Sequence, residues 1–178
     1  RRCVEPPFVD MYFESKEPKA VFRGSLTGTG QRAAWCRRQY RNADVACTSL
    51  NCTRRRIDPV SLKEVSVDVR GVRKASYISM NEQQQKYKYA IYLNGHSGPD
   101  RAARLFNGSQ VVLKPDSGLH DLGQEIWFSG LLHPMQHYVP VAPDGRDVDE
   151  IIDKMEASPD PADALTSACK SLPLTVEG

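Results

Sequence analysis

A three-part unit recurs along this chain and narrows its fold more than any other feature: a short apolar run, a Gly- or polar-rich break, then an amphipathic stretch. Short apolar runs bounded by breakers are buried strands, and their alternation with helical stretches demands a mostly parallel sheet covered on both faces. Ala20-Val21-Phe22 is the first run, ended by Arg23-Gly24-Ser25-Leu26-Thr27-Gly28-Thr29-Gly30. Gln31 to Asn42 has helical composition, with Trp35, Gln39 and Asn42 near one edge and arginines on another. Residues 43–48 read as a second short strand, 49–64 as irregular, and Val65-Ser66-Val67-Asp68-Val69 as a half-buried strand from its strict alternation.

Ser79-Met80-Asn81-Glu82 is a capping box that starts a helix into Gln85. Tyr89-Ala90-Ile91-Tyr92-Leu93 is the best strand in the sequence, and Asn94-Gly95-His96-Ser97-Gly98-Pro99 breaks it. Asp100 then caps a helix through Phe106, and Gln110 to Leu113 is a further buried strand. A helix over 124–132 and a strand over His137 to Val141 follow. Val148, Ile151, Ile152 and Met155 form one apolar helical stripe, with Asp147 and Asp149 in its first turn, and a last helix is expected over 161–171. The expected fold is α/β: a Rossmann-like, mostly parallel sheet with helices on both faces. Its expected organisation is a lead-in over 1–17, a Rossmann-like domain over 18–145 and C-terminal helices over 146–178.

Composition excludes several classes. Hydrophobic residues make up 40% of the 178, and the net charge is only +2, which a chain disordered throughout would not combine. No apolar stretch is long enough to span a bilayer. The balance of 24 basic against 22 acidic side chains argues against a nucleic-acid partner recruited by bulk charge. The basic clusters Arg37-Arg38-Arg41 and Arg54-Arg55-Arg56 read as solvated surface, with attraction of an anionic ligand as the alternative. Arg1-Arg2-Cys3 opens the chain without Met or a signal peptide, the expectation for a segment of something longer. Cys3, Cys36, Cys47, Cys52 and Cys169 match no zinc spacing and no dense disulfide framework, and an odd count leaves at least one thiol without an intrachain partner. The sequons Asn51-Cys52-Thr53 and Asn107-Gly108-Ser109 permit a secretory-pathway setting.

In an open parallel sheet, ligands sit beyond the carboxyl ends of the strands. That rule selects the loops 23–30, 94–100 and 114–120 and the stretch after Val141. The first joins a strand directly to a helix, so its N–H groups can face a phosphate, although it is neither a Walker A loop nor a dinucleotide fingerprint. Arg101, just inside the helix after the second loop, can reach a bound pyrophosphate or pair with a neighbouring carboxylate. Among the histidines only His96 lies where a ligand would be; His120, His133 and His137 read as solvent, cap or structural residues. No Ser-His-Asp arrangement, metal-binding triplet or base-flanked Cys supports free-standing catalysis.

The run from Glu82 through Lys86-Tyr87-Lys88-Tyr89 to Asn94-Gly95, followed by Arg101 and Leu105-Phe106, resembles the core signature of the capsule-associated glycosyltransferase family. That family includes protein O-glucosyltransferases and O-xylosyltransferases. Pro18 to Ser25, Gly108 to Lys114 and His137 to Val141 agree with it in order and spacing, so the resemblance covers roughly residues 16–165. It implies the C-terminal, donor-binding half of an inverting GT-B enzyme working in the endoplasmic reticulum or Golgi lumen. The implied partners are a UDP-sugar, a glycan or protein hydroxyl acceptor and an N-terminal half-domain that supplies the catalytic base; no metal or other cofactor is expected.

The residues it assigns to donor binding are Arg23, Gly24, Ser25, Thr27, Asn94, Gly95, Ser97, Arg101 and Glu125. Arg101 is the pyrophosphate-facing arginine, and Glu125, displaced by one position from the family's acid, would hold the ribose. Leu26 stands where many members carry a further arginine. Two other readings follow: a nucleotide-sugar or carbohydrate binder without turnover, and an unrelated Rossmann-like nucleotide-binding domain.

Overall fold

The computed structural model describes residues 12–27, 30–50, 56–57, 64–65, 68–95, 101–115 and 128–158. In chain order its strands are β1 (Glu17–Ser25), β2 (Ala43–Ser49), β3 (Arg56–Ile57), β4 (Glu64–Val65), β5 (Tyr87–Ile91), β6 (Val111–Pro115) and β7 (Val139–Val141). The helices are α1 (Gln31–Arg37), α2 (Met80–Lys86), α3 (Arg101–Phe106) and α4 (Val148–Ala157). Residues 20–24 of β1 are buried without interruption, which requires cover on both faces of the sheet. β1 pairs in parallel with β2 on one side and β5 on the other, and β6 and β7 continue the sheet beyond β5. The order β2-β1-β5-β6-β7 is parallel throughout, as the repeating unit in the sequence demands. β3 and β4 form a separate antiparallel ribbon.

Two apolar clusters show the double cover. Phe22, Leu26, Trp35, Ile91, Leu93 and Leu113 pack with Val148, Ile151 and Ile152 on one face. Ala90, Tyr92 and Val112 pack with Ala102 and Leu105 of α3 on the other. The period-2 alternation from Tyr89 to Leu93 sends consecutive residues to opposite clusters, so this strand is specified from both sides. The capping box at α2 is present: Ser79 N–H donates to Glu82 Oε2 at 2.8 Å, and Glu82 N–H donates to Ser79 Oγ at 3.2 Å. The apolar stripe of α4 is buried as its spacing requires, and Asp147 turns back to accept the Ala142 N–H at 2.9 Å.

Several elements differ from expectation: the best strand runs over Tyr87–Ile91 instead of Tyr89–Leu93, and a short ribbon, Arg56–Ile57 with Glu64–Val65, falls largely within the stretch expected to be irregular. β1 runs three residues further than Phe22, because β2 offers a continuing register as far as Ser25, with a shift between Gly24 and Ser25. α1 stops at Arg37, where Arg38 is extended; Asn42 instead donates its side-chain amide to the Asp149 carbonyl at 3.2 Å and to Asp153 Oδ1 at 2.8 Å. Within the expected strand 65–69, Asp68 and Val69 are exposed and outside any strand, with Asp68 accepting from Arg70; residues 66–67 lie outside the described residues. Of the helix expected over 124–132, only 128–132 is described, and it holds a 3-10 turn at Ser129–Leu131. The last helix, over 161–171, lies outside the described residues. No described helix is long and apolar enough to cross a membrane.

The loop from β7 to α4 closes over Trp35, whose Nε1–H donates to the Pro143 carbonyl at 2.8 Å. Gly145 lies in the left-handed region at φ 69°, and an added Cβ would sit 2.8 Å from Trp35 Cη2. Gly145→Ala therefore meets both a backbone penalty and a clash, and should cost about 2–5 kcal/mol by urea denaturation. Gly71→Ala, at φ 70° with nothing within 4 Å, isolates the backbone part and should cost about 1–2 kcal/mol. Equal losses would show that the packing over Trp35 is not tight.

Candidate functional site

Strand order reverses between β1 and β5, since the chain steps outward from β1 to β2 and then crosses to the other edge. A crevice opens at the carboxyl end of such a pair. Two arginines from the helices that follow these strands reach into it. Arg32 shares a face of α1 with Trp35 and Cys36, three and four positions on, so the helix carries its side chain inward and leaves it only 4% exposed. Its Nη1 donates to the Ser25 carbonyl at 2.9 Å and to Thr27 Oγ1 at 2.6 Å, while its Nη2 donates to the Leu93 carbonyl at 2.9 Å. It thus ties the end of β1 to the segment leaving β5. Its Nε has no hydrogen-bond partner among the described residues.

Arg101 opens α3 and donates from Nη1 to the Arg23 carbonyl at 2.6 Å. Both guanidinium carbons lie over the Phe22 ring, at 5.5 Å for Arg32 and 5.4 Å for Arg101. Burial, followed by the charge of Arg101, lowers the pKa of Arg32 to about 10. Burial likewise lowers that of Arg101. Both stay protonated at neutral pH, and neither has a carboxylate partner among the described residues. Two desolvated like charges, with no carboxylate partner among the described residues, make this a candidate anion site.

The surface arginines behave differently. Arg37 is paired with Asp68, Arg38 with Asp144 and Arg41 with Asp153. Arg23 is buried and ion-paired: its Nη2 meets Asp44 Oδ2 at 2.5 Å and its Nη1 donates to the Asp44 carbonyl at 2.8 Å, while its Nε has no hydrogen-bond partner among the described residues. Burial raises the Asp44 pKa, but hydrogen bonds from Arg23 and Arg73 outweigh it and hold the carboxyl below its ordinary value. Arg23 therefore offers the crevice its backbone carbonyl, while its guanidinium turns toward Asp44 at the start of β2.

The glycines of the crevice make room for the cations. A Cβ at Gly24 would lie 2.9 Å from Phe22 Cζ and 3.1 Å from Arg101 Nη2; one at Gly95 would lie 3.1 Å from Arg32 Nη2. The structure thus brings together Gly24, Ser25, Thr27, Gly95 and Arg101 from the expected set, with Asn94 buried beside them. Ser97, Glu125, His96 and His120 lie outside the described residues. His137 is structural, its Nδ1 accepting the His133 N–H at 2.9 Å within a turn. Arg32 was not among the residues expected from the sequence. Its signal was helical phase: it lies on the apolar face with Trp35 and Cys36, just after the Gly-rich loop.

A profile of glycosyl transferase family 90 matches residues 8–172, and the chain belongs to that family. It is 30% identical over 168 residues to uncharacterized protein 027R of Frog virus 3 (isolate Goorha), a stretch covering 85% of this chain and 17% of that protein. It is 28% identical over 157 residues to uncharacterized protein 035R of Invertebrate iridescent virus 3, covering 81% and 13%. Uncharacterized protein 179R of Invertebrate iridescent virus 6 is 30% identical over 165 residues, covering 81% and 14%. The chain thus spans less than a fifth of the length of these relatives.

An anion that fills the crevice should relieve the repulsion between its cations. Inorganic pyrophosphate should therefore raise the thermal midpoint, and its affinity should fall as pH rises through about 10, where Arg32 loses its proton. Arg101→Met should weaken pyrophosphate binding by about ten- to a hundredfold, the loss of charged hydrogen bonds worth about 1.5–3 kcal/mol. It should leave the ligand-free midpoint unchanged or raised. Arg38→Ala should change affinity less than about threefold. Binding that survives Arg101→Met in a folded protein would remove the anion site.

Proposed function

We propose that this family 90 chain is the donor-binding part of an inverting, UDP-sugar-dependent glycosyltransferase of the glucosyl- or xylosyltransferase type. The observation that supports the reading is the pair Arg32 and Arg101, without a carboxylate partner among the described residues, at the strand switch point where a nucleotide diphosphate would present its charge. Arg101 grips the diphosphate with its planar fork. Arg32 supplies the cation that Leu26 does not: Leu26 is buried in the apolar core, and Arg32 enters the crevice from α1 instead. Gly24 and Gly95 keep the backbone low beneath the diphosphate, and Thr27, already held by Arg32, lines the same rim. Asn94 and Ser97 are assigned to donor binding, and Glu125 to the ribose hydroxyls.

In the reaction an acceptor hydroxyl, on a glycan or a protein, is deprotonated by a base from an N-terminal half-domain and attacks the anomeric carbon. The bond to the diphosphate breaks with inversion, and negative charge builds on the leaving UDP. Arg32 and Arg101, held in place before the substrate arrives, stabilise that charge. No metal is assigned to the site, and the enzyme works in the lumen of the endoplasmic reticulum or Golgi. Leu26 favours a second reading, a binder without turnover, because it removes one cation from the family pattern; release of UDP from a UDP-sugar by the protein joined to an N-terminal half separates the two.

Calorimetric titration should show UDP binding more tightly than GDP or ADP at equal concentration, with affinity unaffected by excess chelator. ADP binding as well as UDP would overturn the donor assignment. A tenfold loss on chelation, about 1.4 kcal/mol, would mean that a metal takes part in holding the diphosphate.

A further inference from the structure

Cys36 on α1 and Cys47 on β2 are both completely buried, and their Sγ atoms stand 2.9 Å apart. That separation is shorter than ordinary contact between two sulfurs, and a disulfide requires only that it close to about 2.05 Å. The backbone holds the two residues there independently of the side chains. Arg73 N–H donates to the Cys36 carbonyl at 2.9 Å, and Cys47 N–H donates to the Arg73 carbonyl at 2.9 Å. Ala75 N–H donates to the Cys47 carbonyl at 3.0 Å. One strand-like strap thus laces the helix cysteine to the strand cysteine. Among the described residues no third His, Cys, Asp or Glu joins them to make a metal site.

The two thiols are also unequal. The hydrogen bond with Cys36, and after it the Arg32 charge, lowers the pKa of Cys47, while the same hydrogen bond and burial push Cys36 up. Such a pair has one sulfur suited to attack and another suited to resolve.

We propose that Cys36 and Cys47 form a disulfide that staples α1 to β2, made by exchange with a low-molecular-weight disulfide of the glutathione type. The Cys47 thiolate attacks one sulfur of that disulfide, forming a mixed disulfide and releasing one thiolate. Cys36 then attacks the Cys47 sulfur, displacing the second small thiolate, which takes up the Cys36 proton. Two protein thiols are oxidised and one small disulfide is reduced to two thiols. Because both sulfurs are sealed from solvent, the exchange belongs to folding or to a transient opening of the strap over residues 73–75. The staple fixes the helix that carries Arg32, and the closed loop restricts the unfolded chain.

The test is disulfide mapping of the full chain, refolded in a glutathione redox buffer, alkylated, and digested without reduction. Most Cys36 should be recovered in a peptide linked to Cys47. Reductant should lower the thermal midpoint of this protein by several degrees and leave that of Cys36→Ala/Cys47→Ala unchanged. Recovery of Cys36 and Cys47 in fully alkylated form, or each linked to Cys3, Cys52 or Cys169, would overturn the proposal. So would a midpoint indifferent to reductant. The mapping needs only the unaltered chain, so it decides the matter even where the double variant fails to fold.

Discussion

Parallel pairing of β1 on both its edges sets the polarity of the whole molecule. Each strand must be left at its carboxyl end and the next entered at its amino end, so the two ends of the sheet acquire different chemistry. Toward the strand beginnings lie the compensated charges. Asp44 accepts from Arg23, Arg73 and the Tyr87 hydroxyl, and Glu156 at the end of α4 accepts from Lys88 and the Tyr89 hydroxyl. At the carboxyl ends lie Arg32 and Arg101, facing carbonyl oxygens and the Phe22 ring. Arg23 shows how strictly the division holds: one residue presents its carbonyl to one end and its guanidinium to the other.

That division has an energetic consequence. Carbonyl dipoles and an aromatic face make a buried guanidinium tolerable but do not neutralise it, and burial together with the Arg101 charge holds the Arg32 pKa below its ordinary value. A surface ion pair contributes little to stability and can be lost with little effect. On the proposed reading, two buried guanidinium groups without a carboxylate partner among the described residues lower the stability of the empty protein, and an anion seated between them restores it, which couples stability to binding. The close approach of Gly24 and Gly95 to the two cations fits the same picture, since a larger residue at either position would displace the guanidinium groups of Arg101 and Arg32.

Much of the fold was legible in the sequence because it rests on local patterns. Alternation from Tyr89 to Leu93, the capping box at Ser79 and the stripe from Val148 to Met155 are each complete within a few residues. What was illegible depended on distant partners. β1 extends through Gly24 because β2 continues alongside it, and α1 ends early because Asn42 binds Asp149 and Asp153, more than a hundred positions away. The site divides in the same way. Arg101 was legible from its place after the best strand. Arg32 carried only a phase signal, its place on the apolar face of α1 beside Trp35 and Cys36, and its role depends on carbonyls of β1 and of the segment after β5 that no local pattern reveals.

The proposed function requires a diphosphate between Arg32 and Arg101 at the junction of β1 and β5. A crystal structure of the chain with UDP tests this most directly. The account predicts diphosphate oxygens within hydrogen-bond distance of both guanidinium groups, over Gly24 and Gly95, with the Arg23–Asp44 pair undisturbed. A diphosphate seated away from both arginines, on the surface cluster of Arg37, Arg38 and Arg41 or at the opposite end of the sheet, would contradict it.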